Sequence, residues 1–238
     1  MKIIINGAAG RMGKILSNMA GAEKIAAEID IALGNKLSDL NFTGHEFCVV
    51  DFTNHKATQD LINHCVKNNL PVVIASTGQT EDELKIIHDA AKKIPVFMSA
   101  NMSLGIALLA DVAERITQNF GACDIEIVEA HHNQKLDVPS GTAILLADRI
   151  KESRDLKFNI GRHENGKRPE DEIGIHSLRM GGEVGMHEII FATPQEVITI
   201  KHEAKDRALF ARGALAAAEW IVKKDAGFYN MRDLLGGK

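Results

Sequence analysis

The sequence predicts an α/β protein in two parts: a doubly wound domain with a parallel sheet, and an α+β domain with an open sheet. Two observations support this prediction. Up to about residue 102, short apolar segments alternate with amphipathic helical segments, as in parallel strands joined by helices. Beyond that point, several strand candidates follow one another with only short turns between them, which indicates antiparallel pairing.

The first part contains strand candidates that are short and largely apolar. They are Lys2–Asn6, the weakly marked Ile25–Ile31, Phe47–Phe52, Val72–Ala75 and Val96–Met98. Helical patterns separate them: the first has apolar residues at i, i+3, i+4 and i+7 from Met12 to Met19, the second surrounds Leu61, and the third begins with a capping box. That box consists of Thr80 and Glu83. We expect a parallel sheet that ends at Val96–Met98 and has helices on both faces.

The second part of the chain is predicted to combine helices with strands that follow one another closely. The predicted elements are a helix over Ser103–Thr117, a half-buried strand over Asp124–Glu129, a helix over Thr142–Glu152 and a loop over Glu164–Glu172. Three strand candidates follow, namely Gly174–Met180, Met186–Ala192 and Glu196–Glu203. Because glycine and proline turns separate these three, we expect an antiparallel meander. An alanine-rich helix is predicted near residues 206–224.

Composition excludes several classes of protein. The 238 residues are 45% hydrophobic with a formal net charge of −4, which is globular composition and offers no basic surface for nucleic acid. No apolar run approaches the roughly 20 residues of a membrane-spanning helix, and the N-terminus lacks the pattern of a signal peptide. Cys48, Cys65 and Cys123 have no metal-binding spacing and are expected to be buried free thiols. We therefore expect a cytoplasmic protein without a nucleic-acid or membrane partner.

A glycine-rich loop lies between the first strand and the first helix. It reads Gly7-Ala8-Ala9-Gly10-Arg11-Met12-Gly13. Glycines at this position allow a tight turn and a close approach of the backbone to a pyrophosphate, which the N-terminus of the helix favours. The spacing G-x-x-G-x-x-G differs from the commoner G-x-G-x-x-G, so a turn required only for packing is the alternative. The place of the loop between strand and helix favours dinucleotide binding.

An acidic residue about 20 positions after such a loop is expected to hold the adenosine ribose. Glu28 and Asp30 are both candidates. Asp30 fits better because it lies near the end of the second strand. A solvated loop carboxylate is the alternative for this residue.

The densest polar cluster in the chain runs from Glu129 to Thr142. It contains the adjacent His131 and His132, whose imidazoles can give or take protons near neutral pH, and the positively charged Lys135. The segment Ser140-Gly141-Thr142 starts a helix and offers backbone N–H groups and two hydroxyls to a carboxylate. Adjacent histidines on a strand point to opposite faces, so we expect no metal site here.

These segments together resemble the 4-hydroxy-tetrahydrodipicolinate reductase family, long called dihydrodipicolinate reductases. The most specific marker is the segment from Glu129 to Thr142, which reads Glu-Ala-His-His-x-x-Lys-x-Asp-x-Pro-Ser-Gly-Thr. Shorter matches are Gly7–Gly13, Asp51–Thr53, Ser76–Gly78, Ala100–Ser103 and Met231–Leu234. The resemblance implies a reaction of lysine and diaminopimelate biosynthesis, in which a cyclic imine dicarboxylate is reduced, after loss of water, with NADH or NADPH.

The resemblance also implies how the domains are arranged. An N-terminal Rossmann-like parallel-sheet domain would bind the dinucleotide and consist of residues 1–102 plus 207–238. An inserted α+β domain with an open mixed sheet, residues 103–206, would bind the substrate and form a homotetramer.

The family's residue roles transfer to matching positions of this chain. His131 matches the proton donor and Lys135 a second acid, while His132, Ser140, Gly141 and Thr142 match the residues that hold the substrate carboxylates. The residues implied at the cofactor are Gly7, Ala8, Ala9, Gly10, Arg11, Met12, Asp30, Ala75, Ser76, Thr77, Ser99, Ala100, Asn101 and Met102.

The expected cofactor preference follows from Asp30 and the residue after it. A carboxylate can accept hydrogen bonds from both ribose hydroxyls of NADH, but it repels the 2′-phosphate of NADPH. Members of the family often have an arginine after this acidic residue that binds the 2′-phosphate, whereas this chain has Ile31 at that position. We therefore expect both cofactors to work, with NADH favoured or equal.

Two other interpretations remain at this point. One is a related reductase of another imino or oxo acid, which would lack the His-His-x-x-Lys and Ser-Gly-Thr combination. The other is a dinucleotide-binding sensor without turnover, in which the histidine cluster would serve only packing.

Overall fold

The computed structural model describes residues 1–236 and divides into two compact units. Unit 1 consists of Met1–Leu104 together with the segment from Arg207 onward, and unit 2 is Gly105–Asp206. The strands are β1 (Lys2–Asn6), β2 (Ile25–Ile29), β3 (Phe47–Asp51), β4 (Val72–Ile74), β5 (Pro95–Met98), β6 (Asp124–His131), β7 (Lys157–Ile160), β8 (Glu172–Arg179), β9 (Gly185–Ala192), β10 (Val197–Ala204) and β11 (Gly227–Tyr229). The helices are α1 (Arg11–Ala20), α2 (Thr58–Lys67), α3 (Glu81–Ala91), α4 (Leu104–Asn119), α5 (Gly141–Lys151), α6 (Ala208–Ile221) and α7 (Met231–Leu234).

Unit 1 is built on a six-stranded parallel sheet in the order β11-β5-β4-β3-β1-β2. The predicted parallel sheet is confirmed, and so is the capping box, in which the Thr80 hydroxyl accepts from the Glu83 amide and the Glu83 carboxylate accepts from the Thr80 amide. The prediction that the strand series ends at Val96–Met98 is wrong, because β11 pairs with β5 at the edge. Its three residues are too few to show a strand pattern.

The strand order of this sheet reverses between β1 and β3. In doubly wound sheets the loops that leave the strands on either side of such a reversal diverge and open a crevice, where ligands bind. The loops after β1, β3, β4 and β5 all leave from the carboxyl end of the sheet. This topology brings the glycine-rich loop together with the segments that follow Asp51, Ile74 and Met98.

Unit 2 contains a five-stranded mixed sheet in the order β10-β9-β6-β8-β7. The predicted meander is wrong: β9 and β10 form an antiparallel hairpin, but β6 lies between β8 and β9, parallel to the former and antiparallel to the latter. The physical reason is burial, since Ile125 and Ile127 of β6 are inaccessible to solvent and need apolar neighbours on both sides. The sequence does not predict the short strand β7, because that strand has only two apolar residues, Phe158 and Ile160.

One face of this sheet packs against α4 and α5, and its residues change from apolar to polar along β6. Two cross-strand rows of isoleucine and phenylalanine around Ile125 and Ile127 form the core. The next row, toward the carboxyl end of β6, contains only polar side chains: His202, His187, Glu129 and Ser177. The polar cluster predicted from the sequence therefore lies at the end of a well-packed core.

Among residues 1–236, no helix is both long and apolar enough to cross a membrane.

Candidate active site

The glycine-rich loop of unit 1 is shaped by contacts that leave no room for side chains. Gly7 has φ +90°, a left-handed conformation that favours glycine. A methyl group on Gly13 would lie 2.1 Å from the Gly7 carbonyl oxygen, so the first turn of α1 packs directly on the loop. Gly10 begins α1 without a side-chain cap, which leaves the first-turn amides available to an anion. The geometry fits a dinucleotide pyrophosphate, because α1 begins at this loop without a side-chain cap and the N-terminus of a helix favours a negative charge.

Asp30 lies beside this loop at the end of β2. Its carboxylate accepts a hydrogen bond from the Ala9 amide at 3.0 Å and one from the Ala32 amide at 2.9 Å. Glu28 instead accepts a hydrogen bond from the hydroxyl of Ser17 on α1. Of the two acidic residues left open by the sequence, only Asp30 contacts the glycine-rich loop.

The remaining predicted cofactor residues follow neighbouring strands. Ala75, Ser76 and Thr77 follow β4, and the Ala75 amide donates to the Asp51 carbonyl at the end of β3. Ser99, Ala100, Asn101 and Met102 follow β5. The structure therefore brings these segments to the same edge of the sheet as Gly7–Met12.

The carboxylate of Glu129 organises the polar cluster of unit 2. Its side chain is inaccessible to solvent, and both its oxygens accept hydrogen bonds from Arg179 at 2.8 Å. One oxygen also lies 2.6 Å from Nδ1 of His131, and the other accepts from the Ser140 amide at 3.1 Å. A single buried carboxylate thus holds the histidine at the end of β6 and the residue that begins α5.

The other motif residues surround this carboxylate. Lys135 forms an ion pair with Asp137 at 2.8 Å, and the Asp137 carbonyl accepts from Arg179. Gly141 and Thr142 form the first turn of α5, and His132 is half-buried directly after β6. The predicted substrate-binding residues therefore lie in one cluster at the junction of β6 and α5.

His187 contacts two members of this cluster. Its Nε2 lies 3.1 Å from the hydroxyl oxygen of Ser140, and its ring meets the ring of His131 edge to face, with centroids 5.2 Å apart. The same Ser140 oxygen accepts from the Ala143 amide at 3.1 Å and so caps α5. Gly185, two residues earlier on β9, lies under His131: a methyl group there would approach Nε2 to 3.1 Å.

Burial and charge set the protonation of this cluster. Burial alone would raise the pKa of Glu129, but hydrogen bonds from His131 and Arg179 outweigh it and hold the pKa well below its ordinary value. Burial, reinforced by His131, lowers the pKa of His187 to about 3. At neutral pH, Glu129 is therefore charged and His187 is neutral.

The sequence predicts no role for three residues of this cluster. Glu129 belongs to the motif, but the pattern alone does not indicate what it does, while Arg179 and His187 are 50 and 47 positions from their partners Glu129 and Ser140. No local spacing connects such residues. Within residues 1–236, no group of three or more His, Cys, Asp and Glu side chains has the arrangement of a metal site.

Comparison with known proteins identifies the family of this chain. The model of the dihydrodipicolinate reductase N-terminus matches residues 1–102, and that of the C-terminus matches residues 105–235. The chain belongs to the dihydrodipicolinate reductase family. Its first unit is accordingly a dinucleotide-binding domain, which agrees with the shape of the Gly7–Gly13 loop.

Curated relatives match along the whole chain. A 4-hydroxy-tetrahydrodipicolinate reductase of Clostridium novyi is 43% identical, covering 100% of this chain and 99% of the relative. One from Caldanaerobacter subterraneus is 40% identical, covering 99% and 98%. Among solved structures, a dipicolinate-bound dihydrodipicolinate reductase from Paenisporosarcina sp. TG-14 has a TM-score of 0.77 at 25% identity and covers 97% of both chains.

Proposed function

We propose that this protein reduces 4-hydroxy-tetrahydrodipicolinate to tetrahydrodipicolinate, with loss of water, as a step of lysine and diaminopimelate biosynthesis. The observation that supports this most strongly is the Glu129 carboxylate, which holds a proton-exchanging residue, His131, and an anion-binding helix start, Ser140, at once. The reaction needs both functions, since the substrate is a dicarboxylate whose ring must gain a proton.

His131 supplies the proton in this proposal. Hydride addition to the conjugated ring leaves an enamine-like anion, which a nearby acid must protonate. Because Glu129 lies against Nδ1, Nε2 is the nitrogen that exchanges the proton, and it faces away from the carboxylate. Lys135 would serve as the second acid and as a positive charge near the ring.

The start of α5 would bind the substrate carboxylates. The amides of Gly141 and Thr142 and the hydroxyls of Ser140 and Thr142 are donors, and the N-terminus of the helix favours a negative charge. His132 would contribute a further donor. Pyridine-2,6-dicarboxylate, the ligand named for the Paenisporosarcina relative, has two carboxylates of this kind.

A nicotinamide dinucleotide, when bound, supplies the hydride. The loop Gly7–Met12 would hold the pyrophosphate, Asp30 the adenosine ribose, and the segments Ala75–Thr77 and Ser99–Met102 the nicotinamide half. Each Asp30 oxygen accepts one backbone N–H and keeps a lone pair for a ribose hydroxyl. Ile31 is 89% exposed and offers no charge to a 2′-phosphate, so NADH is favoured or equal.

The test is turnover of the freshly made product of dihydrodipicolinate synthase, followed by the oxidation of NADH. His131→Gln should lower kcat by about 10²-fold or more, as is typical for loss of a general acid. The matched control is His176→Gln, because His176 lies on β8 and bonds Glu126 outside the cluster. Parent turnover by His131→Gln, or no turnover by the parent protein, would contradict the proposal.

We further propose a homotetramer assembled through the sheet of unit 2. The residues of β10 that point away from α4 and α5 include Val197, which is 61% exposed, and apolar Leu178 of β8 is 46% exposed. Light scattering should give a particle of four 26.0 kDa chains.

A cytoplasmic location is proposed from the three buried, unpaired cysteines, as expected in a reducing compartment.

A further inference from the structure

The hydroxyl of Ser140 has its two acceptor positions used within the chain. A serine hydroxyl has one proton to donate and two lone pairs to accept. The Ala143 amide donates to the oxygen at 3.1 Å, and Nε2 of His187 lies at 3.1 Å from it. Ser140 is 1% exposed and His187 is 3% exposed, so bulk water does not compete for these contacts.

The second nitrogen of His187 decides the direction of this hydrogen bond. The ring is neutral at the pH of the cytoplasm, because burial lowers its pKa to about 3, and it therefore has a single N–H. Nδ1 is buried and has no hydrogen-bond partner in the described part of the chain. Buried N–H groups without a partner are rarer than unpaired acceptors, so we assign the hydrogen to Nε2, which donates to Ser140.

We propose that His187 is a positioning residue for the substrate carboxylate, an inference that rests on the proposed function. With one lone pair of the Ser140 oxygen filled by Ala143 and the other by His187, the hydroxyl can only donate. The hydroxyl can then donate its proton to a bound carboxylate, but it cannot accept a hydrogen bond from a donor group of a ligand. His187 thus selects a negatively charged acceptor at the start of α5.

The experiment compares two amides at position 187. The side-chain nitrogen of glutamine reaches the position of Nε2 and can donate to Ser140, whereas that of asparagine corresponds to Nδ1 and cannot reach it. We expect His187→Asn to weaken binding of pyridine-2,6-dicarboxylate, measured by calorimetry, by about 10-fold, as for loss of a hydrogen bond to a charged group. His187→Gln should bind within about threefold of the parent, and kcat of His187→Asn should change less than KM.

A double-mutant cycle with Ser140→Ala separates this role from a general effect on folding. Because Ser140→Ala already removes the proton that His187 directs, the double variant should bind pyridine-2,6-dicarboxylate no more weakly than Ser140→Ala alone. His64→Asn, at a buried histidine of α2 in unit 1, is the matched control and should leave the affinity unchanged. If His187→Asn does not fold, His187→Phe tests the same loss with a ring retained.

The outcomes distinguish the two proposals. Additive losses in the double variant, equal weakening by asparagine and glutamine, or unchanged affinity of His187→Asn would overturn the role of His187. A parent protein that neither binds pyridine-2,6-dicarboxylate nor turns over would instead overturn the proposed function.

Discussion

Replacing Glu129 by glutamine tests the centre of the candidate site, because it keeps the shape of the side chain and removes its charge. Each carboxylate oxygen has two donors nearby: Arg179 with His131 at one, and Arg179 with the Ser140 amide at the other. An amide has one oxygen and one NH₂ group. Two of the four donors would therefore face another donor, and the Arg179 charge would lose its partner.

The size of the effect follows from this geometry. A hydrogen bond to a charged group contributes about 1.5–3 kcal/mol, and breaking a buried ion pair costs about 3–5 kcal/mol. Since the Arg179 side chain is 18% exposed and water compensates part of the loss, we expect Glu129→Gln to lower the free energy of unfolding by about 3 kcal/mol. For a chain of this size, that corresponds to a decrease in Tm of about 6–12 °C.

Activity should fall as well, because His131 loses the group that orients it. We expect kcat for NADH-dependent turnover to decrease by about 10²-fold, with a smaller change in KM. The control is Glu126→Gln on the same strand, whose carboxylate pairs with Arg162 and Arg168 and is 26% exposed. Its removal should cost about 0–1 kcal/mol and leave kcat unchanged.

The pH dependence gives a further check of this prediction. The pKa of Glu129 lies below its ordinary value of 4.5, so its charge contributes stability at pH values above 4.5, and this contribution is lost as the pH falls through the folded-state pKa. We therefore compare the free energies of unfolding of the parent and Glu129→Gln, measured with urea. Their difference should be largest near neutral pH and should decrease below pH 4.5. Parent-like Tm and kcat in Glu129→Gln would refute the reasoning.

Three further predictions concern the glycines and the cofactor preference. Gly13→Ala should weaken NADH binding by about 10-fold or more in a fluorescence titration, because the methyl group meets a carbonyl oxygen at 2.1 Å; unchanged affinity would show that the loop can yield. Gly185→Ala should displace the ring of His131 and lower kcat by about 10-fold, whereas Gly182→Ala, where the methyl group meets open space, should not. Asp30→Ser should shift the ratio of kcat/KM values toward NADPH, since it removes a charge that repels the 2′-phosphate; a parent enzyme that prefers NADPH by about 10-fold, or about 1.4 kcal/mol, would contradict this.

Local patterns in the sequence were sufficient for most elements of unit 1. The strand before Gly7, the helix after Gly10 and the capping box of Thr80 and Glu83 each depend on residues within a few positions of one another. Strand pairing in unit 2 was not predictable in the same way. The turn at Gly181-Gly182 indicated a hairpin, but the apolar Ile125 and Ile127 placed β6 between the two strands that this turn connects.

The sequence by itself determined which polar residues stand close together in the cluster, because His131, Lys135 and Ser140 lie within ten positions of one another in a specific motif. Only the tertiary structure decided how these residues are held. Arg179 reaches Glu129 because β8 pairs with β6, and His187 reaches Ser140 because β9 pairs with the other side of the same strand. Such pairing depends on which apolar faces can be buried together along the whole chain, and no spacing within a single segment records it.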